Sequence, residues 1–184
     1  AWAVFETYLE VVKNHDMEGL KILSYQLSED CLDESKLDKC KERMDGAYYF
    51  GQYIKLEDIT KISYDKKQII LSTNYTKTIE TNSTGIIRSL IYFVRDEDGI
   101  KFLSIDPFDG VVTLRSNEST STVEARLEAL THDSDDDYLP DDEENCSDTN
   151  VSNGCIKTNP RKKDTDGDGF WDSTEALFYK NPTQ

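Results

Sequence analysis

Asp164, Asp166, Asp168, Asp172 and Glu175 stand at positions 1, 3, 5, 9 and 12 of the twelve-residue stretch DTDGDGFWDSTE. Carboxylates packed this densely repel one another, and a run of like charge is ordinarily a solvated surface. The spacing here is that of a loop that gathers oxygens around a cation. Short aspartates alternate with small residues, and a longer glutamate at position 12 can close the shell with two oxygens. A second stretch, DSDDDYLPDDEE, starts 31 residues earlier and repeats the offsets with Asp133, Asp135, Asp137, Asp141 and Glu144. In each loop the backbone carbonyl at position 7, from Leu139 or Phe170, is expected to add an oxygen. A hard cation taking six to eight oxygens fits this donor set. Calcium is therefore the expected ion, in one or two structural sites, while magnesium, which demands a strict octahedron, fits less well.

The rest of the composition narrows the function classes. The chain has 184 residues and a formal net charge of −16. Residues 133–175 hold fourteen Asp/Glu against four Lys/Arg, so the acidity is concentrated there. Such a balance argues against nucleic acid as a partner, because phosphate binding needs Lys and Arg. It equally disfavours adsorption to anionic membranes. No apolar run approaches the roughly 18 residues of a membrane span. The four cysteines form two local pairs, Cys31 with Cys40 and Cys146 with Cys155. Local pairing predicts two short disulfide loops and an oxidising, extracellular or cell-surface location, although four cysteines allow three connectivities. Zinc is the rival for these thiols, but no CxxC is present.

The elements that must carry these residues follow from periodicity. Apolar residues at Val4, Phe5, Tyr8, Leu9, Val11 and Val12 predict a helix over 2–14. Asp16 is a plausible N-cap for a second over 16–27, and a third is expected from about Asp33 to Tyr49. Four segments rich in Ile, Val, Tyr, Phe and Thr then predict strands at 55–64, 68–80, 85–96 and 100–108. The breaks between them are Asp65–Lys67, Thr81–Gly85 and Asp96–Gly99, short enough for an antiparallel meander. A short fifth strand is expected at 111–115. The expected fold class is α+β: N-terminal helices packed on a curved antiparallel sheet, followed by a small calcium-stabilised, loop-rich module. The expected organisation is a domain over 1–115, a linker and short helix over 116–132, and the acidic module over 133–184.

Two family resemblances attach to these residues. DSDDDYLPDDEENC followed by DTDGDGFWDSTE resembles thrombospondin type 3 repeats, whose loops read D-x-D-x-D-G-x-x-D-x-x-D and are often followed by Asn-Cys, here Asn145-Cys146. The triplets Thr158-Asn159-Pro160 and Asn181-Pro182-Thr183 resemble the bacterial form of such arrays. The resemblance implies extracellular modules that wrap chain around calcium with little apolar core. Tyr138 departs from it at position 6, where the loop turns with positive φ. Gly169 suits that turn and Tyr138 strains it, so the second loop is expected to be the better site. Cys146–Cys155 would then help to fix the chain between the loops. The order of elements over 2–115, closing in DEDGIKFLSIDPF, resembles nuclear transport factor two-like (cystatin-like cone) domains.

The remaining candidates have plainer readings. His15-Asp16 is expected to be a loop with an Asp cap rather than an acid–base pair, and no catalytic residues are expected. Asp106 and Asp109 read as turn residues. Tyr48, Tyr49, Phe50 and Tyr53 are expected to be packing, with the mouth of a ligand cavity as the alternative. Phe170, Trp171, Leu177, Phe178 and Tyr179 are expected to bury themselves on the calcium-organised turn and a short helix near 173–180. The function expected is a secreted or cell-surface calcium-binding protein with a binding or scaffold domain and a protein or cell-surface partner. A small-molecule-binding or enzymatic cone domain, and a self-assembling subunit of a surface filament or layer, are the alternatives.

Overall fold

The computed structural model describes residues 1–80, 83–113, 119–130, 132–144 and 157–177. Four helices come first: α1 (Trp2–Lys13), α2 (Met17–Leu23), α3 (Glu29–Leu32) and α4 (Leu37–Gly51). Four strands follow, β1 (Ile59–Tyr64), β2 (Gln68–Glu80), β3 (Ser83–Asp96) and β4 (Gly99–Thr113), in one sheet of order β1-β2-β3-β4. This is the α+β arrangement of helices on an antiparallel meander. Three further α-helices follow, α5 (Thr120–Leu130), α6 (Asp141–Glu144) and α7 (Asp172–Leu177), and two 3-10 turns lie at Glu34–Lys36 and Leu56–Asp58.

The helix-to-sheet contact follows from the apolar stripe of α1. Phe5, Tyr8, Val11 and Val12 lie on one helical face and are buried. Phe5 and Tyr8 meet Phe102 of β4, with the Tyr8 and Phe102 rings stacked at 3.7 Å, and Phe93 of β3 packs edge-on against the Phe102 ring. Complete burial of a side chain the size of Phe5 stabilises by roughly 2–3 kcal/mol. Turn chemistry sets the strand breaks. Asp65 accepts from the N–H groups of Lys67 and Gln68, and Asp98 N–H donates to Asp96. Gly99 takes φ 123°, a conformation that needs glycine.

Some boundaries differ from the expected ones. The second helix ends at Leu23 because Ser24 and Tyr25 turn extended and join β4, with Tyr25 N–H donating to the Phe102 carbonyl at 2.8 Å. The third begins later, since Asp33 accepts from Ser35 N–H and holds Glu34–Lys36 in a 3-10 turn before α4. No separate fifth strand forms among the described residues. Residues 111–113 instead continue β4, which runs on past Pro107. Residues 81–82, within the expected Thr81–Gly85 break, lie outside the described residues.

The chain divides into two compact units, Ala1–Lys77 with Ile86–Asp109, and Thr78–Gly85 with Gly110–Gln184. Along the chain the first unit ends at Asp109 and the second resumes at Gly110. The second unit also takes the tip of the β2–β3 hairpin, a segment that a division read along the sequence assigns to the first. α5 starts at Thr120, two residues before the helix expected over 122–132, and buries Val123 and Leu127.

The first cysteine pair is bonded as the local pairing predicts, Cys31 in α3 to Cys40 in α4, with Cα atoms 4.9 Å apart. Closing a loop of this length removes unfolded-state entropy worth about 2–3 kcal/mol. A Cys31→Ala/Cys40→Ala chain is expected to lose that much unfolding free energy in urea, and an unchanged midpoint would show that the bridge is energetically idle. Cys146 and Cys155 lie outside the described residues.

Candidate metal centre

The two acidic loops are wired alike. In the first, the Asp133 carboxylate accepts from the N–H groups of Asp136, Asp137 and Tyr138 at 2.7, 3.3 and 2.8 Å. In the second, Asp164 accepts from Gly167 and Gly169 at 2.6 and 2.8 Å. At position 5, Asp137 accepts from Leu139 N–H and Asp168 from Phe170 N–H. These bonds fold each loop over its first carboxylate. The result is two triads, Asp133/Asp135/Asp137 and Asp164/Asp166/Asp168, each offering one oxygen per residue within 4.8 Å of the others.

The remaining expected ligands divide into three kinds. Asp141 and Asp172, at position 9, close the loop on itself. Asp141 accepts from the N–H and hydroxyl of Ser134, both at 2.7 Å, and Asp172 from those of Thr165 at 2.9 and 2.7 Å. Both are the first residues of their helices, α6 and α7. The glutamates at position 12 are buried, Glu144 at 0% and Glu175 at 1% exposure. One oxygen of Glu144 accepts from Thr158 at 2.9 Å, while its other oxygen, Glu175 Oε2 and Asp166 Oδ2 are buried with no hydrogen-bond partner. Leu139 and Phe170, expected to ligate through their carbonyls, are held against the loop by their N–H groups and are buried.

The electrostatics show what this arrangement costs. Burial pushes Asp137 up to about 8, with the Asp135 and Asp133 charges adding to it against hydrogen bonds from Leu139 and Ser173. Burial likewise raises Glu144 to about 7, opposed by the Thr158 hydroxyl and helped by the charges of Asp135, Asp172 and Asp133. Glu175 also reaches about 7, through burial and then the charges of Asp166, Asp168, Asp172 and Asp164. Asp135 is raised to about 6 by burial and the neighbouring Asp133, and burial raises Asp172 too. Asp141 goes the other way, its carboxylate favoured by the Ser134 hydrogen bonds. Carboxylates that repel one another and have left water need a cation or a proton. The two Asp triads could hold a metal ion, and the glutamates at position 12 lie outside both groups.

The loops also grip each other. Ser173 of α7 donates its N–H to Asp137 Oδ2 at 3.1 Å and its hydroxyl to the Asp137 carbonyl. Lys163 donates to the Asp136 carbonyl, lies 3.7 Å from the Asp136 carboxylate and sits 4.4 Å over the Trp171 ring. Phe170 and Trp171 are buried, as expected, Leu177 is only half-buried, and Phe178 and Tyr179 lie outside the described residues. Tyr138 does take the positive φ of position 6, at 78°, and Asp136 takes it at position 4, at 64°. Gly167 and Gly169 fill the equivalent positions of the second loop at 84° and 98°. The need at position 4 and the pairing of position 2 with position 9 escaped sequence reasoning. A hydroxyl residue at the same offset in both copies, Ser134 and Thr165, was the available signal.

Elsewhere, Asp16 caps α2 by accepting from Gly19 N–H, as expected, and His15 Nε2 lies 2.8 Å from Asp45 on the surface. In the first unit a cavity of about 410 Å³ lies between α4 and β4, bounded by Phe50, Met44, Phe102, Ser104 and Arg43. Tyr48, Tyr49 and Tyr53 do not line it. Tyr49 and Tyr53 pack around the ammonium of Lys77, 4.8 and 4.3 Å from their ring centres. No described helix is long and apolar enough to cross a membrane. A scan against family models, a search of curated proteins and a search of solved structures each returned no match to the chain.

Proposed function

We propose that this chain is a secreted or cell-surface calcium-binding protein whose two acidic loops each hold a structural calcium ion. Asp133, Asp135, Asp137 and Glu144 hold one ion, and Asp164, Asp166, Asp168 and Glu175 the other, with the Leu139 and Phe170 carbonyls completing the shells. Asp141 and Asp172 serve each site by pinning position 2 of its loop. The observation that carries the reading is the pair of buried glutamates, each with an oxygen lacking any partner and each coupled to a triad by charge. The repeated wiring of the two loops and their resemblance to thrombospondin type 3 repeats support it. The Cys31–Cys40 bond fits an oxidising compartment. Extracellular calcium modules bind with dissociation constants of roughly 10⁻⁴–10⁻³ M, so the ion acts as a constitutive staple. The helix-on-sheet unit then serves as the binding or scaffold part for a protein or cell-surface partner. A second reading, a small-molecule site, is favoured by the 410 Å³ cavity of that unit.

Calorimetric titration of the chelator-stripped chain tests the metal reading. Two calcium ions per chain are expected, and Asp164→Ala/Asp168→Ala is expected to lose the second loop's ion. Absence of binding at millimolar calcium would reduce the module to an acidic fold held by protons.

A further inference from the structure

We propose that the two loops fill in order, and that the ion of the second loop prepares the first loop's site through Ser173. This rests on the metal reading above. The loops share one backbone path but not one intrinsic cost. Gly167 and Gly169 reach their positive φ without a Cβ to obstruct them. Asp136 and Tyr138 must adopt the same conformation against the steric preference of L residues. The first loop therefore needs support that the second does not.

That support comes from the second loop. Residue 137 sits between the two strained positions and is the fully buried member of its triad. Ser173 holds it twice, by N–H to its carboxylate and by hydroxyl to its carbonyl, and is itself 4% exposed. Lys163, next to the start of the second loop, donates to the Asp136 carbonyl. Ser173 lies in α7 between Asp172 and Glu175, the two acidic residues of the second loop that stand in the helix. An ion drawing Glu175 toward Asp164, Asp166 and Asp168 fixes the first turn of α7, and Ser173 with it. Asp137 is then held in place before its own ion arrives. The coupling is reciprocal, so an ion in the first loop tightens the second by the same factor.

The test is a calcium titration of the full chain by calorimetry, with hydrogen exchange at the Ser173 and Leu139 amides to confirm that each variant keeps its fold. The wild type is expected to show two steps, with the second loop filling first. Ser173→Ala is expected to leave the first step in place and to weaken the second step about tenfold. Ser173→Thr, which keeps the hydroxyl, is expected to restore it. Tyr138→Gly is expected to tighten the second step by relieving the strain. If Ser173→Ala keeps both wild-type constants, the coupling is wrong and the metal reading stands. If the wild type takes up no calcium, both are wrong.

Discussion

Removing calcium is expected to open the acidic loops while the sheet of the first unit stays closed. The apolar support for the loops is small: Leu139, Phe170 and Trp171 are the buried apolar residues within residues 132–144 and 157–177. Against them stand Asp137, Glu144, Asp172 and Glu175, all buried to 1% exposure or less. Burial of a carboxylate without a counter-charge costs several kcal/mol even after relaxation. Binding energy at such a site is therefore folding energy. At calcium a hundredfold above the dissociation constant each ion contributes about 2.7 kcal/mol, a factor of about 100 in the opening equilibrium. Hydrogen exchange should report this directly. The Tyr138, Leu139, Gly169 and Phe170 amides, all bonded to loop carboxylates, are expected to exchange about 100-fold faster after chelation. The amides of Leu71, Ile91 and Phe93, in a core of aromatic and aliphatic side chains, are expected to keep their rates. Equal protection of the loops with and without calcium would sink the metal reading.

How much of this was legible in the sequence depends on what each feature answers to. The sheet was readable because β2, β3 and β4 alternate or saturate their apolar positions, and because Asp65 and Gly99 mark turns by local chemistry. The end of α2 was not, since Ser24 and Tyr25 answer to Phe102, a partner 77 residues away from Tyr25. The continuation of β4 past Pro107 is of the same kind. At the candidate site the triads were readable because a cation loop needs carboxylates at fixed offsets. Tyr138 looked like a defect because the sequence shows the cost of positive φ and conceals what offsets it. The structure supplies that in the Asp133 carboxylate, which accepts from Tyr138 N–H at 2.8 Å, and in the Ser173 bonds to Asp137 next to it. Strain of this kind is on the order of 1–3 kcal/mol and persists where the surroundings determine the backbone. The contact between loops joins residues 36 apart, and no periodicity within either copy points to it.

Calcium is expected to reverse the pH dependence of the module's stability. Asp137, Glu144 and Glu175 have folded pKa values of about 8, 7 and 7 without metal. Unfolded carboxylates titrate near 4. Between those limits the calcium-free fold binds more protons than the unfolded chain. Its stability is thus fully present below about pH 4 and is lost as pH rises through 7 to 8. Asp141, with its pKa lowered by Ser134, acts in the opposite sense, but it is one partly exposed group against three buried ones. The net loss on going from pH 5 to pH 8 is on the order of several kcal/mol. With calcium the same carboxylates must release their protons to bind the ion, so affinity and stability rise over that interval. Urea unfolding followed by Trp171 fluorescence, in a Trp2→Phe background, should give midpoints that fall with pH in chelator and rise with pH in calcium. Parallel curves would mean that the buried carboxylates are satisfied by something other than a metal ion.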